Sequence, residues 1–177
     1  LQDVYPGWKT MALIRFLARK DSLYSNRNFV ALFQRYGIQP DFTFGNYPTL
    51  PLYITATNLR TGGLKVFGDD ADERILDAVM SSTALTPLHP PWSVGSERYV
   101  DGGTVSPLPL RVALERGATE IFALHIWDKN KDVADLHKVR GVINVLTRSV
   151  DSMLRLQAQH DLHLARTAPG VKLHHIL

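Results

Sequence analysis

Apolar residues recur along this chain at two spacings, and the switches between them predict the order of elements. In residues 8–19, Met11, Leu13, Ile14, Phe16 and Leu17 share roughly one helical face, with Lys9, Arg15 and Arg19 outside it. Residues 21–26 read as a loop ending in Asn26, a plausible N-cap, before a helix with Phe29, Leu32, Phe33 and Tyr36 at i, i+3, i+4 and i+7. That aromatic stripe reads as core, and Gly37 supplies the stop. Pro40, Gly45 and Pro48 break up residues 39–50. Residues 52–57 then form a β-rich run consistent with a buried strand, 58–63 are turn chemistry, and 64–67 return as a neighbouring strand. The acidic loop 68–72 feeds a helix from Glu73 to about Ser82, where carboxylates in the first turn complement the macrodipole. Residues 85–93 are irregular and rich in proline.

In the second half, Tyr99 and Val100 read as the end of a short strand, and residues 110–116 as a helix stopped by Gly117. Residues 120–127 are another candidate buried strand, and the charged run 128–138 reads as an exposed, mobile loop. A long helical pattern spans 141 to about 167, with Val142, Val145, Leu146, Val150, Met153, Leu154 and Leu156 at helical spacings. Pro169-Gly170 ends it, and 171–177 read as a last strand. Strands alternating with helices predict an α/β fold with a mostly parallel sheet covered by helices. No internal repeat, low-complexity tract or linker interrupts the 177 residues, a length that suits one domain.

Composition narrows the functional classes. A net charge of +3 with scattered basic residues leaves no electrostatic footprint for nucleic acid. No apolar run approaches the roughly 18 residues that a membrane span requires. With no cysteine, disulfides, thiolate zinc sites and a cysteine nucleophile are excluded. The chain starts at Leu1 without a signal-peptide pattern, so it is expected to be part of a longer product. Its location is left open, as a soluble protein of the cytoplasm or of a membrane surface.

The residues most suggestive of chemistry are Arg98 to Pro109, where Asp101 stands at a strand end before Gly102-Gly103. Glycine lets the backbone turn sharply and approach another group closely. A carboxylate at the carboxyl end of a strand, before a glycine turn and a helix, is where open α/β sheets place their chemistry. Capping of the turn by the aspartate is the other reading of the same residues.

Four blocks in order resemble the C-terminal part of a patatin-like phospholipase domain. They are residues 50–62, with the run Leu52-Tyr53-Ile54-Thr55-Ala56-Thr57; the helix end 78–87; Tyr99-Val100-Asp101-Gly102-Gly103 with Pro107 and Pro109; and residues 113–118 with the strand through Ile126. Leu23-Tyr24-Ser25-Asn26 is similar to an earlier segment of that family. The resemblance covers nearly the whole chain and implies a three-layer sandwich around a mostly parallel central sheet, with residues 1–177 as the C-terminal portion of one domain. It also implies a serine hydrolase of lipid acyl esters that works through a Ser–Asp dyad. Asp101 would be base and orienter in one residue, supported by the Gly102-Gly103 turn, with no cofactor and no metal.

The family's nucleophile sits in a G-x-S-x-G elbow, and no such motif occurs in these 177 residues. Gly95-Ser96 and Gly103-Thr104-Val105-Ser106 do not fit it, and Ser81-Ser82 belong to the helix-end block. The glycine-rich oxyanion loop is absent too. Both are expected upstream of Leu1, together with the first strands, so the chain alone is expected to be inactive. It is also expected to need that N-terminal segment or a partner chain to cover an apolar edge.

The partners implied are a lipid or acyl-ester substrate and, at most, a peripheral membrane surface. Two other readings share the scaffold: a non-catalytic lipid-binding or interaction module, and an acyltransferase. The histidines carry less. His160 and His163 at i, i+3 could share a helix face, but a metal needs further ligands. His174 and His175 point to opposite faces of a strand. His125 near a strand end could approach the site, and Trp92 with Pro87, Leu88, Pro90 and Pro91 could line an acyl-binding surface or form a packed loop.

Overall fold

Two short turns set the strand directions in the first part of the chain. β1 (Ile54–Asn58) and β2 (Leu64–Phe67) are joined by residues 59–63, where Asn58 Oδ1 accepts the N–H groups of Arg60 (2.8 Å) and Thr61 (3.1 Å). β3 (Trp92–Val94) and β4 (Glu97–Asp101) are joined by Gly95-Ser96, with Gly95 at φ +59°. Connections this short join only antiparallel neighbours, because a parallel crossover needs about a dozen residues or more. β4 also pairs antiparallel with β1, with Ala56 opposite Asp101, and the resulting four-stranded sheet has the order β2-β1-β4-β3.

The computed structural model describes residues 14, 17, 18, 20–46, 50–126 and 139–177. They fall into two compact units, Leu1–Val105 and Ser106–Leu177. Most of the helix expected over 8–19 and the whole charged loop expected over 128–138 lie outside the described residues.

The first unit adds two helices to its sheet, α1 (Arg27–Arg35) and α2 (Ile75–Ser82). Alternation along β1 puts Ile54 and Ala56 on one face. They pack with Phe67 and Tyr99, whose rings meet edge to face at 5.4 Å, and with Ile75 and Ala78 of α2. Asp77 ties α2 to β3: its Oδ1 accepts the Trp92 indole N–H (2.9 Å) and its Oδ2 accepts from Arg74 Nε (2.7 Å). Trp92 is thereby held as packing, which places a strand where the sequence reads as irregular.

The second unit is a strand–helix–strand arrangement preceded by α3 (Leu110–Glu115). β5 (Glu120–Leu124) and β6 (Lys172–Ile176) run parallel, linked through α4 (Val142–Thr167). Leu108, Leu110, Ile121, Ala123, Ala158, Leu162 and Ala165 form its core.

The fold is therefore mixed α/β, but a mostly parallel sheet is not what the described strands form. The larger sheet is antiparallel throughout, and parallel pairing is confined to β5–β6. Three local expectations also change. Asn26 does not cap α1 with its side chain; its Nδ2 donates instead to the Pro90 carbonyl (3.2 Å). Tyr36 is 79% exposed and so lies outside the core. α2 starts at Ile75, leaving Glu73 in the loop, where it accepts the Gly68 N–H (2.8 Å) and pairs with Lys65 (2.6 Å).

Asp77 is the buried polar residue on which the α2–β3 contact turns. Asp77→Ala should destabilise the chain by about 1–3 kcal/mol, because the Trp92 N–H loses its acceptor. Urea unfolding would measure this, and a midpoint equal to wild type would refute the role.

Candidate active site

Asp101 ends β4 and starts a short 3-10 turn, Gly102–Thr104. Its main chain is held on both sides. The Asp101 N–H donates to the Ala84 carbonyl just beyond α2 (3.1 Å), and its own carbonyl accepts the Thr57 hydroxyl (2.9 Å). Its side-chain Oδ1 accepts the Gly103 N–H at 2.7 Å. The turn-capping reading of Asp101 is therefore correct for one oxygen. Among the described residues no donor reaches Oδ2.

The two glycines are required for different contacts. A Cβ on Gly102 would lie 2.6 Å from both the carbonyl oxygen and Oγ1 of Thr55, with no space to move. A Cβ on Gly103 would lie 2.9 Å from Asp101 Oδ1 itself. The close approach that a Gly-Gly pair permits is thus used twice, once against β1 and once against the carboxylate. Thr55 and Thr57 lie two apart on β1, one against Gly102 and the other on the Asp101 carbonyl. Their roles escape the sequence reading, in which they are simply β-formers. The Thr-x-Thr alternation was the only available signal.

Electrostatically, the carboxylate is poised to take a proton. Burial pushes the Asp101 carboxyl above its ordinary range, and the Gly103 N–H pulls it part of the way back. The folded state therefore disfavours the ionised form. That cost is present above the folded-state pKa and disappears as the pH falls below it.

The serines of the chain are placed differently. Ser96 is exposed in the β3–β4 turn, at the opposite end of β4 from Asp101. Ser81 is fully buried in α2, without a hydrogen-bond partner for its hydroxyl among the described residues. Ser106 belongs to the second unit and donates to Asp161 Oδ2 (2.9 Å). Burial raises the Asp161 carboxyl, while the Ser106 hydroxyl, His160 and Arg111 lower it.

The remaining candidates are dispersed. His160 and His163 are exposed on α4. His174 stacks on Phe122 and contacts Glu120 (2.9 Å), whereas His175 faces His125, so the two do project to opposite sides. Among the described residues no group of three or more His, Asp or Glu side chains could hold a metal. No helix among them is long and apolar enough to cross a membrane.

Gly102→Ala should destabilise the chain by about 1–3 kcal/mol through overpacking against Thr55. Gly103→Ala, which meets a movable side chain, should cost less. Parallel denaturant titrations decide the order, and equal losses would contradict the contact geometry. Asp101→Asn keeps an acceptor for Gly103 and removes a half-buried charge, so its thermal midpoint at pH 7 should be no lower than wild type.

The family model for Patatin-like phospholipase matches residues 4–114 of the chain. No curated protein matches it.

Proposed function

The chain belongs to the patatin-like phospholipase family, a family of lipid hydrolases, and from that membership we propose that Asp101 is the base of a serine–aspartate acyl hydrolase. The observation that carries this reading is the carboxylate at the end of β4, with one oxygen bound to Gly103 and the other open among the described residues. A neutral serine hydroxyl is a poor nucleophile and needs a base within hydrogen-bond reach. In the proposed reaction the serine hydroxyl gives its proton to Asp101 as its oxygen bonds to the ester carbonyl carbon. The alcohol leaves with that proton, and water then releases the fatty acid from the acyl-enzyme.

No G-x-S-x-G occurs in these residues, so the serine and the oxyanion donors of this reading come from a segment outside them, and these 177 residues alone are inactive. The two units then form the C-terminal portion of one patatin-like domain, a three-layer sandwich whose parallel strands β5 and β6 are extended by that segment. The outer face of β5 supports this part of the reading. Phe122 is 61% and Leu124 is 74% exposed, on a parallel pair of a kind that normally carries cover on both faces. The substrate is a phospholipid or simpler acyl ester, met at a membrane surface by a peripheral protein.

The missing motif also supports a second reading, a non-catalytic module that keeps the fold to bind lipid. Fluorophosphonate labelling of the full-length protein separates the two, because the reagent requires an activated serine. Under the hydrolase reading, wild type is labelled, and Asp101→Asn, while folded, loses at least about a hundredfold in kcat/KM, the low end of general-base contributions. Wild-type turnover by folded Asp101→Asn would sink the assignment.

The pH profile is a further check. A base must be ionised to accept the proton, so activity should fall as the pH drops through the folded-state pKa of Asp101. Burial raises that pKa, so the acid limb of kcat/KM should lie above the ordinary aspartate value of about 3.9. A limb at or below that value would exclude Asp101 as the titrating base.

A further inference from the structure

β5 and β6 bring two imidazoles together at the carboxyl end of the parallel pair. Ala123 lies opposite His175, and the ladder continues past β5 through the bond from the His125 N–H to the Ile176 carbonyl (2.9 Å). By strand alternation His125 and His175 project on the same face as Ile121 and Ala123, and His174 projects on the other. His125 Nδ1 stands 3.2 Å from His175 Nε2. The ring centroids are 5.4 Å apart and the ring planes differ by 29°. The centroids are much further apart than the nitrogens, so the rings meet through their nitrogen edges.

We propose that His125 Nδ1 and His175 Nε2 form a two-histidine site for a divalent transition-metal ion of the zinc, nickel or copper class. Imidazole nitrogens bind zinc at about 2.0–2.1 Å, so two of them on one tetrahedral ion stand roughly 3.3 Å apart, close to the separation seen here. Imidazole donors select ions of this class over magnesium and calcium, which take oxygen ligands. Burial, and then the neighbouring His175, hold the His125 imidazole below its ordinary pKa, so its neutral, metal-binding form prevails at neutral pH. Without an ion, two neutral rings at this distance share one N–H···N bond. Binding moves that proton to the other nitrogen of its own ring and frees both facing lone pairs. Among the described residues no third His, Asp or Glu completes the set. The carboxyl ends of parallel strands are also where open α/β sheets hold ligands.

Calorimetric titration of the chelator-stripped protein with zinc chloride tests this. The expected result is one saturable ion per chain. Loss of even an outer partner weakens metal sites by about 10–100-fold, so His125→Ala and His175→Ala should each weaken binding at least about tenfold. His174→Ala and His160→Ala should leave it unchanged. Imidazole NMR of the wild type gives a readout that needs no variant: the His125 and His175 resonances should shift together at one equivalent of zinc. No saturable binding would overturn the proposal. So would unchanged resonances at these two rings, or an ion retained by the His125→Ala/His175→Ala double variant, which would be an adventitious ion only.

Discussion

The close approach of Gly102 to β1 is the constraint on which the rest of the candidate site depends. The peptide at Gly102 lies so near Thr55 that no side chain fits between them. That contact fixes where the backbone leaves β4, and Asp101 is the residue before it. Its main chain is then held at the N–H by Ala84 and at the carbonyl by Thr57, so two segments distant in sequence converge on one residue. With the backbone held in this way, the Gly103 N–H can reach Oδ1, and the carboxylate has a set orientation.

Rigidity and reactivity are linked at this point. The contacts that orient Asp101 also bury it, and burial raises its pKa. A carboxylate that the fold prefers to protonate is a stronger base than one in water, and keeping it ionised at neutral pH costs stability. This is the exchange expected where a fold serves chemistry rather than its own stability. The Asp77 carboxylate in the same unit shows the contrary arrangement. It is buried with Arg74 and the Trp92 N–H on its oxygens, and it joins a helix to a strand without an open position.

The second unit shows how an apolar pattern can predict an element and misplace its contacts. The stripe Val142, Val145, Leu146, Val150, Met153, Leu154 and Leu156 runs along α4 as its spacing predicts, yet all but the half-buried Leu154 are exposed. The buried positions of α4 are Ala158, Leu162 and Ala165, which at 3.6 residues per turn lie on the face opposite the exposed residues of that stripe. A helix packed against a two-stranded sheet needs little width, and two of its three buried contacts are alanines. Periodicity identifies a face that is apolar; it carries no information on which face of the helix finds a neighbour.

What the sequence by itself determined was local: the positions of β1, β2, β5 and β6 to within a few residues, helices α1 to α4, and Asp101 before two glycines. Such features depend on side-chain alternation and backbone freedom, which act over a few residues. The family could also be read there, because its blocks keep their order and spacing along the chain. Only the tertiary structure decided the antiparallel pairing of β1 with β4, the strand at Trp92, the threonines on the Asp101 turn and the meeting of His125 with His175. All but the strand at Trp92, which pairs across a two-residue turn, are contacts between segments far apart in the chain, set by which surfaces pack. The Gly-Gly pair shows the boundary between the two. The sequence shows that something can approach closely there, and the fold supplies Thr55.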